Sequence, residues 1–432
     1  MKKLAALFMF VLLTSGAFAQ GWTFNGYFPD TTKLRIASGG HGIACDAYGR
    51  VWIQLYSSAV DSIWNGNAWV KTGALYCFNP DGTQASFSPI KVFVGPTFTD
   101  SLVGNTGRGL KLHTDGDILA THFDFVQKVD FKTGLSKGVM RNVLGASGVA
   151  AASDANGNIF TANVVGGNPI KIWDPTFNFL GNAVDSSVGF SRSFEVGADG
   201  NTIYWAGYTN HAVLKYTRPD EFSPFTVTDT VFKGFDSESM AWNRKYNRLW
   251  ASAGSNNDLP NRYPGATTFW TSRAWYAMNT ETGEITDSLI WNTYPGTADA
   301  RPRGIAFSPS GDTAYVIAFG ASNYPPVERF INPNPSSIKD LGMVADDFKL
   351  FQNYPNPFNP STEIKFSLKS AGFTTLKVYD ILGKEVATLV SENLGSGVYA
   401  YSFDASKLAS GTYIYEVVSN NVRLTNKMLL MK

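Results

Sequence analysis

One unit occurs six times in the central part of the sequence, and it constrains the fold more than any other feature. Each copy is a short apolar stretch, a turn rich in Asp, Asn and Gly, and a second apolar stretch that usually contains an aromatic residue. Because Asp-Gly and Asn-Gly turns supply the positive φ of tight hairpins, each copy predicts an antiparallel β-hairpin. The copies begin, at spacings of 67, 39, 45, 46 and 65 residues, at Gly42, Gly109, Gly148, Ser193, Ser239 and Gly304.

These repeats predict a β-propeller over residues 20–335. Repeats of about 40–50 residues that each form a few antiparallel strands are typical of propellers. A single blade cannot bury both of its faces, so blades stack around a common axis. Six blades fit the six copies, whereas seven remain an alternative because the two long spacings leave room for a degenerate blade.

The first copy, Gly42–Trp52, follows the pattern Gly-h-Ala-h-Asp-x-x-Gly-x-h-Trp, where h is an apolar residue. This unit resembles the one that opens each blade in six-bladed propellers of the NHL and gluconolactonase-like superfamily. The resemblance implies an architecture and does not by itself imply a chemistry.

The composition argues against a disordered chain and against a nucleic-acid-binding protein. Charged residues are 16% of the chain, aromatic residues are 14%, and the formal net charge is +1. The chain is too apolar and aromatic to be disordered. It is also too neutral for binding driven by a nucleic-acid backbone, so no nucleic-acid partner is expected.

The N-terminus predicts a secretory signal peptide over residues 1–19. Lys2 and Lys3 precede an apolar stretch at 4–13, and Ala17-Phe18-Ala19 gives the small-x-small cleavage pattern. An uncleaved anchor is the alternative, but the stretch is too short to span a bilayer. No later run approaches ~20 apolar residues, so no transmembrane segment is predicted.

The last 85 residues differ in character from the repeats. We expect a linker at 336–347 and a small immunoglobulin-like β-sandwich at 348–432. Ile364, Phe366 and Leu368 alternate with polar residues, which is the pattern of a strand with one buried face. Two Asn-Pro pairs before this strand favour extended or turn conformations.

Three motifs occur in order in this tail: Asn-Tyr-Pro-Asn-Pro-Phe-Asn-Pro-Ser-Thr from Asn353, Val-Tyr-Asp-Ile-Leu-Gly from Val378 and Leu-Ala-Ser-Gly-Thr-Tyr from Leu408, followed by a Lys427-Met428 pair and a terminal lysine. Together they resemble the C-terminal type A sorting domain of type IX secretion substrates, found in Bacteroidetes and related phyla. The resemblance implies passage through the periplasm, recognition of residues 348–432 by the type IX machinery, and a location at the outer cell surface or in the medium. A spacer without a role in transport is the alternative. The motif residues are Asn353, Pro355, Asn356, Pro357, Asn359, Pro360, Tyr379, Asp380, Gly383, Gly411, Tyr413, Lys427 and Lys432.

The residues just before each repeat are expected to surround one mouth of the propeller channel. Arginine binds carboxylates and phosphates in bidentate fashion, so this ring predicts a site for an anionic ligand. A structural network in which Glu238 pairs with an arginine is the alternative. The ring comprises His41, Arg108, Ser147, Arg192, Glu238 and Arg303.

The longest insertions fall on the same face and carry aromatic residues. Exposed aromatic side chains above a channel can stack on sugar rings or anchor a partner protein. Packing of the long loops on one another is the alternative. The predicted rim aromatics are Trp64, Trp69, Trp270, Tyr294 and Tyr324.

Motifs for catalysis are absent from the sequence. It contains no Gly-x-Ser-x-Gly elbow and no His-Glu-x-x-His motif, so no catalytic residue and no cofactor is predicted. The gluconolactonase-like resemblance implies a divalent metal in the channel, for which Glu238 is a candidate ligand and Ca²⁺ a candidate ion. The arginines at other inner positions argue against a metal in the channel.

The sequence as a whole favours an exported module that binds a glycan, peptide or protein. The alternative is a metal-dependent lactonase-like hydrolase or lyase.

Cys45 and Cys77 are the only cysteines. We expect them on the first and third strands of one blade. Two strand spacings of ~4.8 Å separate such positions by more than the ~7 Å that a disulfide can bridge. Free buried thiols are therefore predicted, although an oxidising compartment would permit a disulfide.

Overall fold

The chain folds into a six-bladed β-propeller followed by a β-sandwich, as the sequence predicts. The computed structural model describes residues 21–29, 39–141, 147–234, 236–253, 274–290, 301–319, 327–332, 338–340, 348–369, 372–394, 397–420 and 422–432. Within these ranges the secondary structure consists of strands and turns, with no helix. The predicted signal peptide, residues 1–19, lies outside them.

Among the described residues, no helix is both long and apolar enough to cross a membrane.

Each blade is an antiparallel sheet whose first strand lies nearest the channel, and blade 1 carries two additional hairpins. The first strand, β1 (Thr23–Tyr27), precedes blade 1. Blade 1 comprises β2 (Gly40–Cys45), β3 (Val51–Leu55) and β6 (Leu75–Phe78). Its two additional hairpins are formed by β4 (Asp61–Trp64) with β5 (Trp69–Thr72) and by β7 (Val92–Val94) with β8 (Thr99–Ser101). Blade 2 comprises β9 (Gly107–Leu112), β10 (Ile118–His122), β11 (Phe125–Val129) and β12 (Ser136–Arg141). Blade 3 comprises β13 (Ala152–Ser153), β14 (Ile159–Thr161), β15 (Ile170–Trp173) and β16 (Phe179–Val184).

The remaining blades have the same plan. Blade 4 comprises β17 (Phe194–Val196), β18 (Thr202–Gly207), β19 (Ala212–Thr217) and β20 (Thr226–Val231). Blade 5 comprises β21 (Met240–Asn243), β22 (Arg248–Ala253), β23 (Ala274–Met278) and β24 (Ile285–Ile290). Blade 6 includes β25 (Arg301–Phe307), β26 (Thr313–Phe319) and β27 (Val327–Ile331).

The ring closes after blade 6. Strand β2 contacts both β9 of blade 2 and β25 of blade 6. The outer strand of blade 6 is β1, which pairs antiparallel with β27 and places Thr23 opposite Ile331. Strands from both ends of the propeller therefore share one sheet.

The glycine that opens a repeat permits close approach of neighbouring inner strands. A Cβ atom on Gly42 would lie 2.5 Å from the backbone nitrogen of Leu110. Gly109 has φ +140°, and its Cβ would lie 2.5 Å from the Cβ of Ala150. A larger residue at either position would force adjacent blades apart.

The aspartate of the first repeat fixes its hairpin turn. Asp46 Oδ1 accepts hydrogen bonds from the backbone N–H groups of Tyr48 (2.9 Å) and Arg50 (3.1 Å). Its Oδ2 accepts from Arg50 Nε and from Trp52 Nε1, both at 2.8 Å. The turn is thereby tied to the aromatic residue of the second strand.

Large aromatic residues fill the spaces within and between blades. Trp52, Trp205, Trp250 and Trp275 are essentially fully buried. Trp52 packs in one cluster with Leu110 and Phe125 of blade 2. Many of the aromatic residues therefore belong to the core.

The tail consists of two four-stranded sheets that enclose an apolar core with Phe366, Val378 and Tyr415. Three residues of the segment expected to be a linker form β28, which pairs with β33 of the sandwich. The strands are β28 (Ile338–Asp340), β29 (Lys349–Leu350), β30 (Ser361–Leu368), β31 (Gly372–Asp380), β32 (Glu385–Leu394), β33 (Gly397–Asp404), β34 (Gly411–Ser419) and β35 (Val422–Leu430).

Candidate functional site

The predicted channel residues converge at the end of the propeller where the inner strands begin, which we call the upper face. They line a cavity of about 20 Å³, the upper cavity. This volume is enough for roughly one water molecule. Ser147 is not among its lining residues. The lining includes the five predicted ligand-binding residues His41, Arg108, Arg192, Glu238 and Arg303.

Two of the residues that line the upper cavity form an ion pair. Arg303 Nη1 contacts Glu238 Oε2, and both side chains are almost completely buried. The Arg108 guanidinium lies 5.2 Å from the Tyr56 ring centroid and 5.1 Å from that of Phe123. The geometry thus matches the structural network that the sequence left as an alternative.

His41 contributes no positive charge to this cavity near neutral pH. Its imidazole is buried, and burial lowers its pKa well below the ordinary value of 6.5. The nearby Arg303, Arg108 and Arg192 guanidinium groups lower the pKa further. Three arginines therefore face one carboxylate, that of Glu238, and the local charge is positive.

The upper cavity does not fit a divalent cation. Glu238, the candidate ligand, is paired with Arg303, and the other charged residues of the lining are Arg108, Arg192 and Lys111. A cation would meet uncompensated positive charge here. Across the described ranges, no group of three His, Cys, Asp or Glu residues is arranged to hold a metal ion.

A second ion pair crosses the channel below the upper cavity. Lys111 Nζ, on blade 2, contacts Glu195 Oε1 on blade 4 and donates to the carbonyl oxygen of Met240 on blade 5. Both charged side chains are mostly buried. Lys111 lines the upper cavity and also a larger one beneath it.

The larger cavity, which we call the lower cavity, opens where the inner strands end. Its volume is about 390 Å³, within the range of about 300–1,000 Å³ found for small-molecule sites. This cavity was not predicted, because the residues before each repeat mark only the upper mouth of the channel. The signal was present at the other end of the same strands, where Lys111 and Glu195 each stand third in their repeats and Trp242 stands fourth.

Two of the five predicted rim aromatics can be placed. Trp64 and Trp69 lie opposite each other in the β4–β5 hairpin, and their rings meet edge to face with centroids 6.0 Å apart. The side chains are 55% and 71% exposed. Trp270, Tyr294 and Tyr324 lie outside the described residues.

Three other residues whose side chains could carry chemistry, His122, Asp115 and Cys45, are held by structural contacts or burial. His122 is buried and stacks on Phe125 at 4.5 Å, and burial lowers its pKa to about 3. Asp115 belongs to a hairpin turn, where its Oδ1 accepts from the Asp117 N–H at 3.0 Å. Cys45 is buried and unbridged, as predicted.

The second cysteine, Cys77, is likewise buried and free. Burial raises its pKa to about 12. It lies on β6, on the far side of β3 from Cys45, as the blade arrangement predicts. A thiol of this kind is almost entirely protonated at neutral pH and unreactive.

In the tail, the first asparagine of the sorting motif joins the two sheets. Asn353 is buried; its backbone N–H donates to Tyr415 Oη at 2.8 Å, and its Nδ2 donates to Thr362 Oγ1 at 2.9 Å. Asn356 Oδ1 accepts from the backbone N–H of Leu429 at 2.9 Å. These contacts attach the Asn-Pro segment to the sheet formed by β31, β32, β34 and β35.

Other motif residues fix turns. Asp380 Oδ1 accepts from the N–H groups of Leu382 and Lys384 at 2.9 and 3.0 Å. Tyr413 Oη donates to the carbonyl oxygen of Ala409 at 2.8 Å. Lys432 donates through its backbone N–H to Ser410 Oγ at 3.0 Å. Tyr379 and Gly411 are half-buried, and the exposed motif residues are Pro355, Asn356, Pro357, Asn359, Pro360, Gly383, Lys427 and Lys432.

Solved structures similar to the chain share little sequence with it. A putative 6-phosphogluconolactonase from Bacteroides uniformis is 13% identical, with 63% of this chain and 76% of that chain covered and a TM-score of 0.39. A protein of unknown function from Bacteroides thetaiotaomicron is 9% identical, with coverages of 72% and 76% and a TM-score of 0.46. An auxiliary nutrient binding protein from Bacteroides ovatus is 12% identical, with coverages of 72% and 76% and a TM-score of 0.40. None is similar enough to carry an argument about function.

The search of curated proteins finds no match to the chain. A family model does match the tail, over residues 352–431. That family is described as the secretion system C-terminal sorting domain. Residues 352–431 are thus similar to the sorting domains of a secretion system.

Proposed function

We propose that the protein is an exported binding module that holds a glycan, a peptide or a partner protein on the upper face of its propeller. In this proposal the type IX secretion system recognises the tail and delivers the propeller to the outer cell surface or the medium. The binding role and the particular secretion route go beyond the family match.

The exposed Trp64–Trp69 pair carries the binding proposal. Tryptophan is costly to leave in water and is enriched where ligands and partners are held. The two rings stand together on a two-stranded hairpin whose strands do not belong to the blade 1 sheet. Lys91 steadies this hairpin by donating to Asp61 Oδ1 at 3.0 Å and to the Ser62 carbonyl oxygen at 3.1 Å.

The closed upper cavity supports binding at the rim over chemistry in the upper part of the channel. A volume of about 20 Å³ admits no organic substrate. Glu238 is held by Arg303, so it is not available as a metal ligand or as a general base. A ligand on this face would therefore rest on the surface, above the arginines.

A glycan array and a displayed peptide library, probed with the purified protein, test the binding role. Replacing both tryptophans (Trp64→Ala with Trp69→Ala) should weaken capture about tenfold or more, since interface tryptophans often contribute ~2 kcal/mol. Phe222→Ala is the matched control, because Phe222 is 90% exposed and lies in another blade. Equal capture by the double variant and by the control would exclude the tryptophan pair as the site.

The export route has its own test. Residues 338–432, fused to a periplasmic reporter with a signal peptide, should reach the surface or medium of a host with a type IX system. This fusion begins at β28 because that strand pairs with β33. A fusion of 346–432, which lacks β28, shows whether that strand is needed. Retention of both fusions in the periplasm would contradict the proposed route.

A further inference from the structure

The lower cavity is lined by residues from all six blades. It lies at the opposite end of the channel from the rim tryptophans, so an inference about it stands apart from the proposed function. One lining residue from each blade, in chain order, is Ile43, Leu110, Ser153, Glu195, Trp242 and Ile305.

The carboxylates around this cavity are already neutralised. Asp46 accepts from Arg50 Nε at 2.8 Å, and Asp115 accepts from Lys128 Nζ at 2.6 Å. Glu195 is paired with Lys111. None of the three is left to attract a cation.

Two basic side chains of the lining, by contrast, have no counter-ion among the described residues. Arg244 and Lys245 are exposed and follow β21 at the mouth, and neither forms an ion pair with any described residue. Arg244 Nη2 donates to the Leu112 carbonyl oxygen, 3.2 Å away on blade 2. A guanidinium has five N–H donors, so most of them remain for a ligand.

The wall combines an aromatic ring with hydroxyl groups. Trp242 Nε1 donates to the Val196 carbonyl oxygen at 3.1 Å, and its ring packs edge to face on Tyr204, which fixes the indole. Ser153 is buried, and its Oγ has no hydrogen-bond partner among the described residues. Thr114 is exposed at the mouth. An aromatic surface beside hydroxyls suits a ring that carries several hydroxyl groups.

We propose that the lower cavity binds a sugar that bears a carboxylate or a phosphate. The anionic group lies between Arg244 and Lys245, and the sugar ring lies against Trp242. Arginine presents the planar donor pair that fits either anion. The Lys111–Glu195 pair forms the inner end of the site and keeps the ligand out of the upper cavity.

Isothermal titration of the purified protein with three probes tests this site. D-glucuronate supplies the carboxylate, glucose 6-phosphate supplies the phosphate, and glucose has the ring without a charge. At least one anionic probe should bind with a Kd of about 1 mM or tighter, and glucose should bind at least ~10-fold more weakly. The anionic probe with the lower Kd shows whether the site prefers a carboxylate or a phosphate. Failure of both anions to bind, or equal binding of glucose, would overturn the proposal.

Substitutions of the two basic residues test whether the anionic probe binds in the lower cavity. Arg244→Gln with Lys245→Gln should weaken the anionic probe ~10-fold or more, because two charge-assisted contacts are lost. Lys71→Gln with Lys132→Gln removes the same charge from exposed residues that do not line the cavity, and should leave the affinity unchanged. Arg244→Lys with Lys245→Arg retains both charges and should retain most of the binding.

The rim variant separates this site from the proposed function. The protein with Trp64→Ala and Trp69→Ala should bind the anionic probe with wild-type affinity. Loss of probe binding in that variant, or equal loss in the two double glutamine variants, would place the anion elsewhere and refute the lower-cavity site.

Discussion

Lys111 and Glu195 meet across the channel, from blades that are not neighbours in the ring. Lys111 lies on β9 of blade 2 and Glu195 on β17 of blade 4, and the lysine also donates to the Met240 carbonyl oxygen of blade 5. Three inner strands are thereby joined at one point. The contact divides the channel into an upper cavity of about 20 Å³ and a lower one of about 390 Å³.

Loss of one partner of this pair should destabilise the propeller. Lys111→Met leaves the Glu195 carboxylate mostly buried without its counter-ion, which costs about 3–5 kcal/mol of the free energy of unfolding. Urea denaturation, followed by tryptophan fluorescence, measures the change. Lys111→Met combined with Glu195→Leu removes both charges and should recover much of the loss. A double variant no more stable than Lys111→Met would contradict a role for the pair.

Calcium should not stabilise the protein through the upper cavity. Because Arg303 neutralises Glu238 and further arginines surround it, the melting temperature should be the same in millimolar Ca²⁺ and in EDTA. Glu238→Gln leaves Arg303 without its counter-ion, and should lower the melting temperature equally in both conditions. A rise in melting temperature with Ca²⁺ that disappears in Glu238→Gln would instead indicate a metal site there and revive the lactonase-like alternative.

The sequence predicted the upper cavity better than the lower one, for a geometric reason. In a propeller, positions just before each repeat return to the same mouth, so His41, Arg108 and Arg303 could be grouped from spacing alone. Whether the mouth is open depends on side-chain pairing, such as that of Arg303 with Glu238, which spacing does not specify. The closure of the ring by β1 was also not predicted, because Thr23–Tyr27 lies outside the repeats.

The tail shows a different limit of sequence reasoning. Its motif marked the sorting domain, and the family match covers residues 352–431. The motif did not show that Asn353 is buried between the sheets while Asn356 reaches Leu429. Nor did the composition of the linker reveal β28, since a three-residue strand is defined by its partner in β33.

Acidification should destabilise the folded propeller through its buried histidines. Burial lowers the pKa of His122 to about 3 and that of His41 well below 6.5. Below pH 6.5 the unfolded chain takes up protons at these residues and the folded chain does not, so stability falls as pH falls. For His122 the loss between pH 6.5 and pH 5 is about 2 kcal/mol, at 1.36 kcal/mol per pH unit.

Asp287 acts in the opposite direction over part of this range. Burial raises its pKa to about 6, so between pH 6 and about 4 the folded chain binds a proton that the unfolded chain does not. Urea midpoints at pH 7.5 and pH 5 measure the balance. His122→Phe keeps the stack on Phe125 and should show a smaller loss of stability between the two pH values, whereas Asp287→Asn should show a larger one. If His122→Phe lost as much stability between pH 7.5 and pH 5 as the wild type, His122 would not be a source of the acid sensitivity.

The turn between β31 and β32 should matter for export more than for folding. Ile381 and Leu382 are 70% and 89% exposed, although both are apolar, and Asp380 holds the turn through the Leu382 and Lys384 N–H groups. Exposed apolar side chains on a rigid turn are suited to contact another protein. Ile381→Ser with Leu382→Ser should therefore leave the melting temperature unchanged and reduce the secreted fraction in a type IX host.

Asn353→Ala provides the contrasting case. It removes the buried amide that bonds Thr362, and leaves polar groups unpaired at a cost of about 1–3 kcal/mol. Export of this variant should fall together with its stability. Limited proteolysis of the purified protein measures the stability. If the Ile381 and Leu382 double variant were exported as well as the wild type, recognition would have to use another surface of the tail, such as the exposed Pro355–Pro357 segment.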